Sequence, residues 1–288
     1  MRCLRKWLIR LVLAGVILAV AAFGLFLYLK PPLMPRTEIY RGVFLTVEEV
    51  PEGPDGRGRA MIAEIHWETP GIRLAGREYS FPVDPANPIT PHYRLVPADW
   101  ALSREGAAVL VNSAGYKPET SYRSLPGMPV RAMETVVVDG QPSRVHKHSY
   151  LLYWDKDMEV HLQQQKPPDA ASLEAAVLGI GLQGIPILNG KDRGQGLDHL
   201  ELVMPRTFIG VDPDRKVLYL LVFEHASGHF MLSRAVEAGV QYGGMLDSGD
   251  ATHLLIGSKA KGIHSHQGIR NWRPLGPYLT VFADPLQK

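Results

Sequence analysis

Short apolar runs, each cut off by a turn of glycine, proline, asparagine or aspartate, recur from residue 39 to residue 283. That rhythm favours strands over long helices. Runs at 39–50 and 59–67 flank Pro51-Glu52-Gly53-Pro54-Asp55-Gly56, and a third at 72–79 follows Thr69-Pro70-Gly71, so the chain opens as an antiparallel unit. The proline-rich stretch 81–97 reads as an irregular surface loop. Residues 98–105 fit one or two helical turns, and 107–111 a strand buried on both faces. A meander follows at 135–138, 149–154 and 159–163. Residues 170–182 read as a helix, with Leu173, Ala176, Val177 and Ile180 at helical spacing. Residues 185–188 read as a strand closed by Asn189-Gly190, and 208–211 with 216–223 as a hairpin. A second helix over 231–238 stops at Gly239, and 278–283 is the closing strand. The expected class is α+β: a mixed, strand-rich single domain with a few helices.

One N-terminal transmembrane helix is expected to precede that domain. Arg2, Arg5, Lys6 and Arg10 come before an uncharged apolar run at 11–29, which Lys30-Pro31-Pro32 closes. The run is near the roughly 20 residues that span a bilayer, and the basic cluster places the N-terminus in the cytoplasm. Ala19-Val20-Ala21 would serve as a signal-peptide cleavage site, but the apolar run continues through Phe23, Leu25, Phe26 and Leu27, which favours an uncleaved anchor. The expected division is a cytoplasmic basic segment at 1–10, an anchor or signal sequence at 11–29, a linker at 30–37 and an exported domain at 38–288. The membrane is then a partner through this helix, and the main domain is periplasmic or extracellular. Cys3 is the sole cysteine, so the exported part holds neither a disulfide nor a thiol nucleophile. A net charge of +2 is too mild to call for a nucleic-acid partner.

The stretch 239–257, GVQYGGMLDSGDATHLLIG, is the candidate working segment. A buried strand at 242–246 breaks at Asp247-Ser248-Gly249-Asp250 and the chain turns apolar again at 252–256, which would hold a carboxylate in a cleft. A plain hairpin is the other reading, because turns use these residues anyway. Asn112-Ser113-Ala114-Gly115-Tyr116 is a small-residue turn that permits close approach of backbone or ligand. Asn112, Arg206, Glu224, Asp247, Thr252 and Arg273 sit at strand ends. Two carboxylates suit acid–base or nucleophilic work on a sugar, and arginine forks suit phosphate. His146 with His148, and His264 with His266, have spacing that faces both imidazoles one way on a strand, yet neither pair has a third ligand nearby. No cofactor is certain; calcium is the one the spacing allows, with Asp247 and Asp250 as candidate metal ligands. GxSxG, HExxH, P-loop and GxGxxG patterns are absent, which disfavours serine hydrolase, zinc protease and nucleotide-binding chemistry.

Taken in order, Asn112-Ser113-Ala114-Gly115-Tyr116, Pro205-Arg206-Thr207-Phe208-Ile209-Gly210, Leu246-Asp247-Ser248-Gly249-Asp250-Ala251-Thr252 and Arg273-Pro274 resemble the motif series of the phosphodiester glycosidase family, over 107–283. The resemblance implies a hydrolase acting on a sugar-1-phosphodiester or related cell-envelope glycan. A carbohydrate or sugar-phosphate would be its substrate. By position, it implies Asp247 as catalytic carboxylate with Glu224 as partner, and Asn112, Gly115, Arg206, Thr207, Gly249, Thr252 and Arg273 as substrate-binding residues. The family's triple glycine and paired serines become Ser-Gly-Asp and Ala-Thr here, and its strand-end Asp-Gly becomes Glu224-His225. Asp250 adds a negative charge where phosphate would approach. The alternative is a catalytically inactive envelope protein that binds a glycan or protein partner through the same cleft.

Overall fold

The computed structural model describes residues 7, 11–18, 20, 30–83, 90–118, 124–147, 150–164, 167–182, 184–194, 199–262 and 267–287. Strands account for 43% of the described residues and helices for 16%, and every strand pairing among them is antiparallel. The α+β expectation is corrected accordingly: this is an antiparallel β fold with short helices on its surface.

The largest sheet has eight strands, in the order Met34–Tyr40, Val43–Gly53, Gly56–His66, Val217–Ala226, Met204–Asp212, Tyr242–Met245, Ile187–Leu188 and Lys191–Asp192. Its central strand shows why the fold holds. Leu218, Leu220 and Val222 point into the main core, while Val217, Tyr219, Leu221 and Phe223 point the other way. A strand puts alternate side chains on opposite faces, so a continuous apolar run is what burial on both faces requires. The second face is covered by helix Gly228–Ala238 through Met231, Leu232 and Ala235. Ser227 starts that helix by accepting the Phe230 N–H, and truncating Phe223 to alanine between the layers should cost about 3–5 kcal/mol.

The main core joins this sheet to two five-stranded sheets. One runs Gly268–Ile269, Leu254–Ile256, Val109–Asn112, Tyr278–Phe282 and Arg73–Gly76; the other runs Gln141–Pro142, Val136–Val138, Leu178–Leu182, Tyr150–Trp154 and Val160–Gln163. A small sheet has the order Tyr93–Arg94, Pro129–Ala132 and Tyr116–Pro118. Helix Ala98–Glu105 packs over Leu110, Leu255 and Tyr278.

Several sequence expectations need correction. The helix expected at 170–182 is instead the short helix Ala170–Ala175 followed by strand Leu178–Leu182. Apolar residues three and four apart fit a helix, but this strand is buried on both faces and pairs on both edges, with Tyr150–Trp154 and Val136–Val138. A Cβ on Gly181 would lie 2.5 Å from the Thr135 carbonyl oxygen, so the glycine marks a close strand approach. The run 39–50 is two strands parted by a turn at Arg41-Gly42. Strand Met34–Tyr40 also begins inside the stretch expected as linker. The expected membrane-spanning helix is corrected too. Residues 11–18 are helical, 21–29 lie outside the described residues, and among the described residues no helix is long and apolar enough to cross a membrane.

Candidate functional site

Asp247 follows strand Tyr242–Met245, and its backbone is clamped on both sides. Its N–H donates to the Ser113 carbonyl at 2.9 Å, and its own carbonyl accepts from Asn112 Nδ2 at 2.6 Å. Asn112 Oδ1 in turn accepts from Thr207 Oγ1 at 2.9 Å and from the His253 N–H at 2.9 Å. One buried amide therefore joins the end of strand Val109–Asn112, strand Met204–Asp212, the Asp247 loop and the segment leading into strand Leu254–Ile256. Asn112 and Thr207, expected as substrate-binding residues, have these side-chain atoms engaged inside the protein.

The Asp247 carboxyl lines a cavity of about 210 Å³ with Glu134, His199, Arg206, Met204 and Ser248 among its neighbours. Its Oδ2 is buried with no hydrogen-bond partner among the described residues. Burial raises its pKa to about 6, against the opposing pull of the Arg273 charge and of the Ser248 backbone. The carboxyl therefore keeps a proton to an unusually high pH.

Glu134 supplies a second carboxyl group to the cavity. It is 5% exposed and follows strand Pro129–Ala132, where the Met133 N–H donates to the Gly115 carbonyl at 2.7 Å. A Cβ on Gly115 would stand 3.2 Å from Glu134 Oε2 and 3.7 Å from Asp247 Cγ, so the two acids lie no more than about 7 Å apart. Gly115 is the gap that lets them approach. The sequence reading passed over Glu134 because it falls in a connection between strands. Its signal is a lone acid in the mainly apolar run Ala132-Met133-Glu134-Thr135-Val136-Val137-Val138.

Arg206 is 1% exposed and also faces the cavity. Nη2 donates to the His199 and Leu202 carbonyls, both at 2.6 Å, and Nε to Ala226 at 3.3 Å. No ion pair involves it among the described residues, and burial lowers its pKa. A buried guanidinium held by carbonyl oxygens and, through Nη1, by the Met245 Sδ at 3.9 Å leaves a positive charge uncompensated at the cavity wall. Arg273 lines a neighbouring cleft, and its charge acts on Asp247. Nε donates to Ser124 Oγ and Nη2 to the Tyr116 carbonyl, both at 3.2 Å, with the guanidinium 4.2 Å above the Tyr116 ring. Burial and the Asp247 charge push the Tyr116 hydroxyl up to about 12 against the pull of Arg273, and that hydroxyl donates to the Pro274 carbonyl.

The remaining expected residues are placed as follows. Glu224 is not brought to Asp247: it accepts the Arg59 N–H at 2.9 Å and pairs with Lys30 at 3.4 Å, on the side facing strand Gly56–His66. Strand Val217–Ala226 runs past 223, so Glu224 lies within a strand rather than at its mouth. Gly249 has a φ of 68° and opens the 3₁₀ turn Gly249–Ala251, and its carbonyl accepts from Asn271 Nδ2 at 3.0 Å. Thr252 is buried, and its hydroxyl has no partner among the described residues. Asp250 is exposed on the turn. Among the described residues no group of three or more histidine, cysteine or acidic side chains is placed to hold a metal ion. His148, His264 and His266 lie outside the described residues.

No protein-family model matches the chain, and no curated protein does. Solved structures do share its fold. The catalytic domain of zebrafish N-acetylglucosamine-1-phosphodiester alpha-N-acetylglucosaminidase, auto-inhibited by its pro-peptide, superposes with a TM-score of 0.58 at 13% identity, over 88% of this chain and 87% of that one. A hypothetical protein from Synechocystis superposes with a TM-score of 0.52 at 13% identity, over 84% of this chain and 62% of that one. A third, from Burkholderia pseudomallei, gives 0.50 at 12% identity, over 77% and 73%. At such identity the likeness is one of fold, and it includes a glycosidase catalytic domain.

Proposed function

We propose that the chain is a hydrolase of the phosphodiester glycosidase type, which cleaves the bond between a sugar and a phosphate diester. The observation that carries this reading is the Glu134–Asp247 pair across Gly115, with Arg206 at the same cavity wall. A carboxyl pair within about 7 Å suits glycoside hydrolysis, in which one group gives a proton while the other, ionised, attacks or activates water. Asp247, with its pKa raised to about 6, is the proton donor. Glu134 takes the other role and accepts a proton from the water that adds to the sugar carbon. The carbon–oxygen bond breaks with its electrons passing to the phosphate, whose charge Arg206 and Arg273 receive. The products are a free sugar and a phosphate monoester. Gly115 shapes the gap, while Asn112 and Thr207 hold Asp247 in register. The fold shared with a catalytic domain that acts on N-acetylglucosamine-1-phosphodiesters supports this choice of bond. A cell-envelope glycan or glycolipid outside the cytoplasm is the natural carrier, a reading that rests on the basic cluster ahead of the apolar run at 11–29.

The test is to incubate the full-length chain with aryl phosphodiesters of N-acetylglucosamine, glucose, galactose and mannose and to measure free sugar. Release by the wild type that is lost in both Asp247→Asn and Glu134→Gln supports the reading. A folded wild type that releases none of the four sugars overturns it in favour of a binding protein.

A further inference from the structure

Trp272 is 73% exposed, yet it stands on a tightly tied frame. Its neighbour Asn271 donates from Nδ2 to the Gly249 and Thr252 carbonyls, at 3.0 and 3.4 Å. Its other neighbour, Arg273, is fixed by Ser124 and Tyr116, and the Arg273 carbonyl accepts from His253 Nε2 at 2.9 Å. A large aromatic ring held out in water on fixed backbone forgoes the burial that would stabilise it, unless something covers it. The ring borders a cleft of about 310 Å³, whose lining includes Leu125 and Pro126. In that cleft Arg270 Nη1 grips both carboxylate oxygens of Asp99, at 2.8 and 3.0 Å. Arg273 belongs to this cleft and also acts electrostatically on Asp247.

We propose that this cleft is a second carbohydrate subsite, in which Trp272 stacks on a pyranose ring of the substrate beyond the bond that is cut. A pyranose has an apolar C–H face and a rim of hydroxyls. The cleft offers the match: one aromatic face, and a carboxylate–guanidinium pair of Asp99 and Arg270 in the same lining. The Asp99 and Arg270 charges offset each other, which suits a neutral sugar better than an ion. Continuity through Arg273 places the ring on the same ligand as the Asp247 cavity, and to that extent the inference rests on the proposed hydrolase reading. Trp272 is then a specificity-determining residue for long substrates.

The experiment separates the two ideas by measuring binding and turnover independently on the full-length chain. Calorimetry would compare tetrasaccharides of N-acetylglucosamine, glucose, galactose and mannose with their monosaccharides. The expected result is at least one tetrasaccharide binding about tenfold or more tighter than its monosaccharide, an advantage lost in Trp272→Ala and largely kept in Trp272→Phe. Release of sugar from a short aryl phosphodiester should be the same in Trp272→Ala and wild type. Trp272-dependent binding without any turnover would keep the subsite and remove the hydrolase. Turnover with equal tetrasaccharide affinity in wild type and Trp272→Ala would do the reverse. A Trp272→Ala variant that loses the short substrate as severely as the long one also overturns the proposal, because the residue would then serve the reacting centre.

Discussion

Glu134 and Asp247, 113 positions apart in the chain, bring their carboxyl groups to 3.2 and 3.7 Å from a single missing Cβ at Gly115. Proton chemistry in the cavity turns on that pairing. Asp247→Asn and Glu134→Gln should each lower sugar release by about 10²–10⁴-fold with a folded protein by circular dichroism. Glu224→Gln should stay within about twofold of wild type, since its carboxylate serves Lys30 and the Arg59 N–H.

The raised pKa of Asp247 predicts two pH effects. A proton donor titrating near 6 makes turnover fall as pH climbs above that value, measurable as the alkaline limb of kcat/KM. For stability the sign is the same. The folded pKa exceeds the unfolded one, so the favourable contribution is complete below pH about 4 and vanishes as pH rises through about 6. Its full size is up to about 3 kcal/mol. Urea unfolding at pH 4.5 and 7 should show this slope in the wild type and a flatter one in Asp247→Asn.

Gly115→Ala tests the gap itself. The new methyl would stand 3.2 Å from Glu134 Oε2, so the acid must move by a few tenths of an ångström. Displacement of that kind should cut kcat by about tenfold to a hundredfold, with a loss of stability of only about 1 kcal/mol. Unchanged kcat in a folded variant would show that the spacing of the pair is unimportant.

Asn112→Ala should behave differently. It leaves the Thr207 hydroxyl, the His253 N–H and the Asp247 carbonyl without their shared partner, and the expected destabilisation is about 2–4 kcal/mol. Thermal melting should register most of the damage, whereas a substrate-contacting residue would show it in KM.

Arg206→Lys keeps a positive charge but loses the planar fork that spans the His199, Leu202 and Ala226 carbonyls. KM for a sugar phosphodiester should rise about tenfold or more, and inhibition by inorganic phosphate should weaken in parallel. Equal phosphate inhibition in variant and wild type would remove Arg206 from the anion site.

Much of the strand pattern was readable because turns announce themselves: Pro54-Asp55, Asn189-Gly190 and Gly239 each stand at a turn or helix stop. Residues 170–182 misled because Leu178, Ile180 and Leu182 satisfy a two-residue period as well as Leu173, Ala176, Val177 and Ile180 satisfy a helical one. Asp247, Arg206 and Arg273 stand out as polar residues at strand ends. Glu134 does not, since its role depends on the packing of Thr135 against Gly181 and of Met133 against Gly115, both long-range backbone contacts. Glu224 looked equivalent until strand pairing turned it toward Arg59.

The Asn112 amide joins parts of the chain 95, 135 and 141 residues away. Asp247 therefore sits correctly only after separate sheets have docked, a late event because distant loops must close first. Any excursion that parts those sheets, even with each sheet intact, switches the acid pair off. During gentle denaturation the chain should lose its chemistry while its far-ultraviolet spectrum still reports native strands.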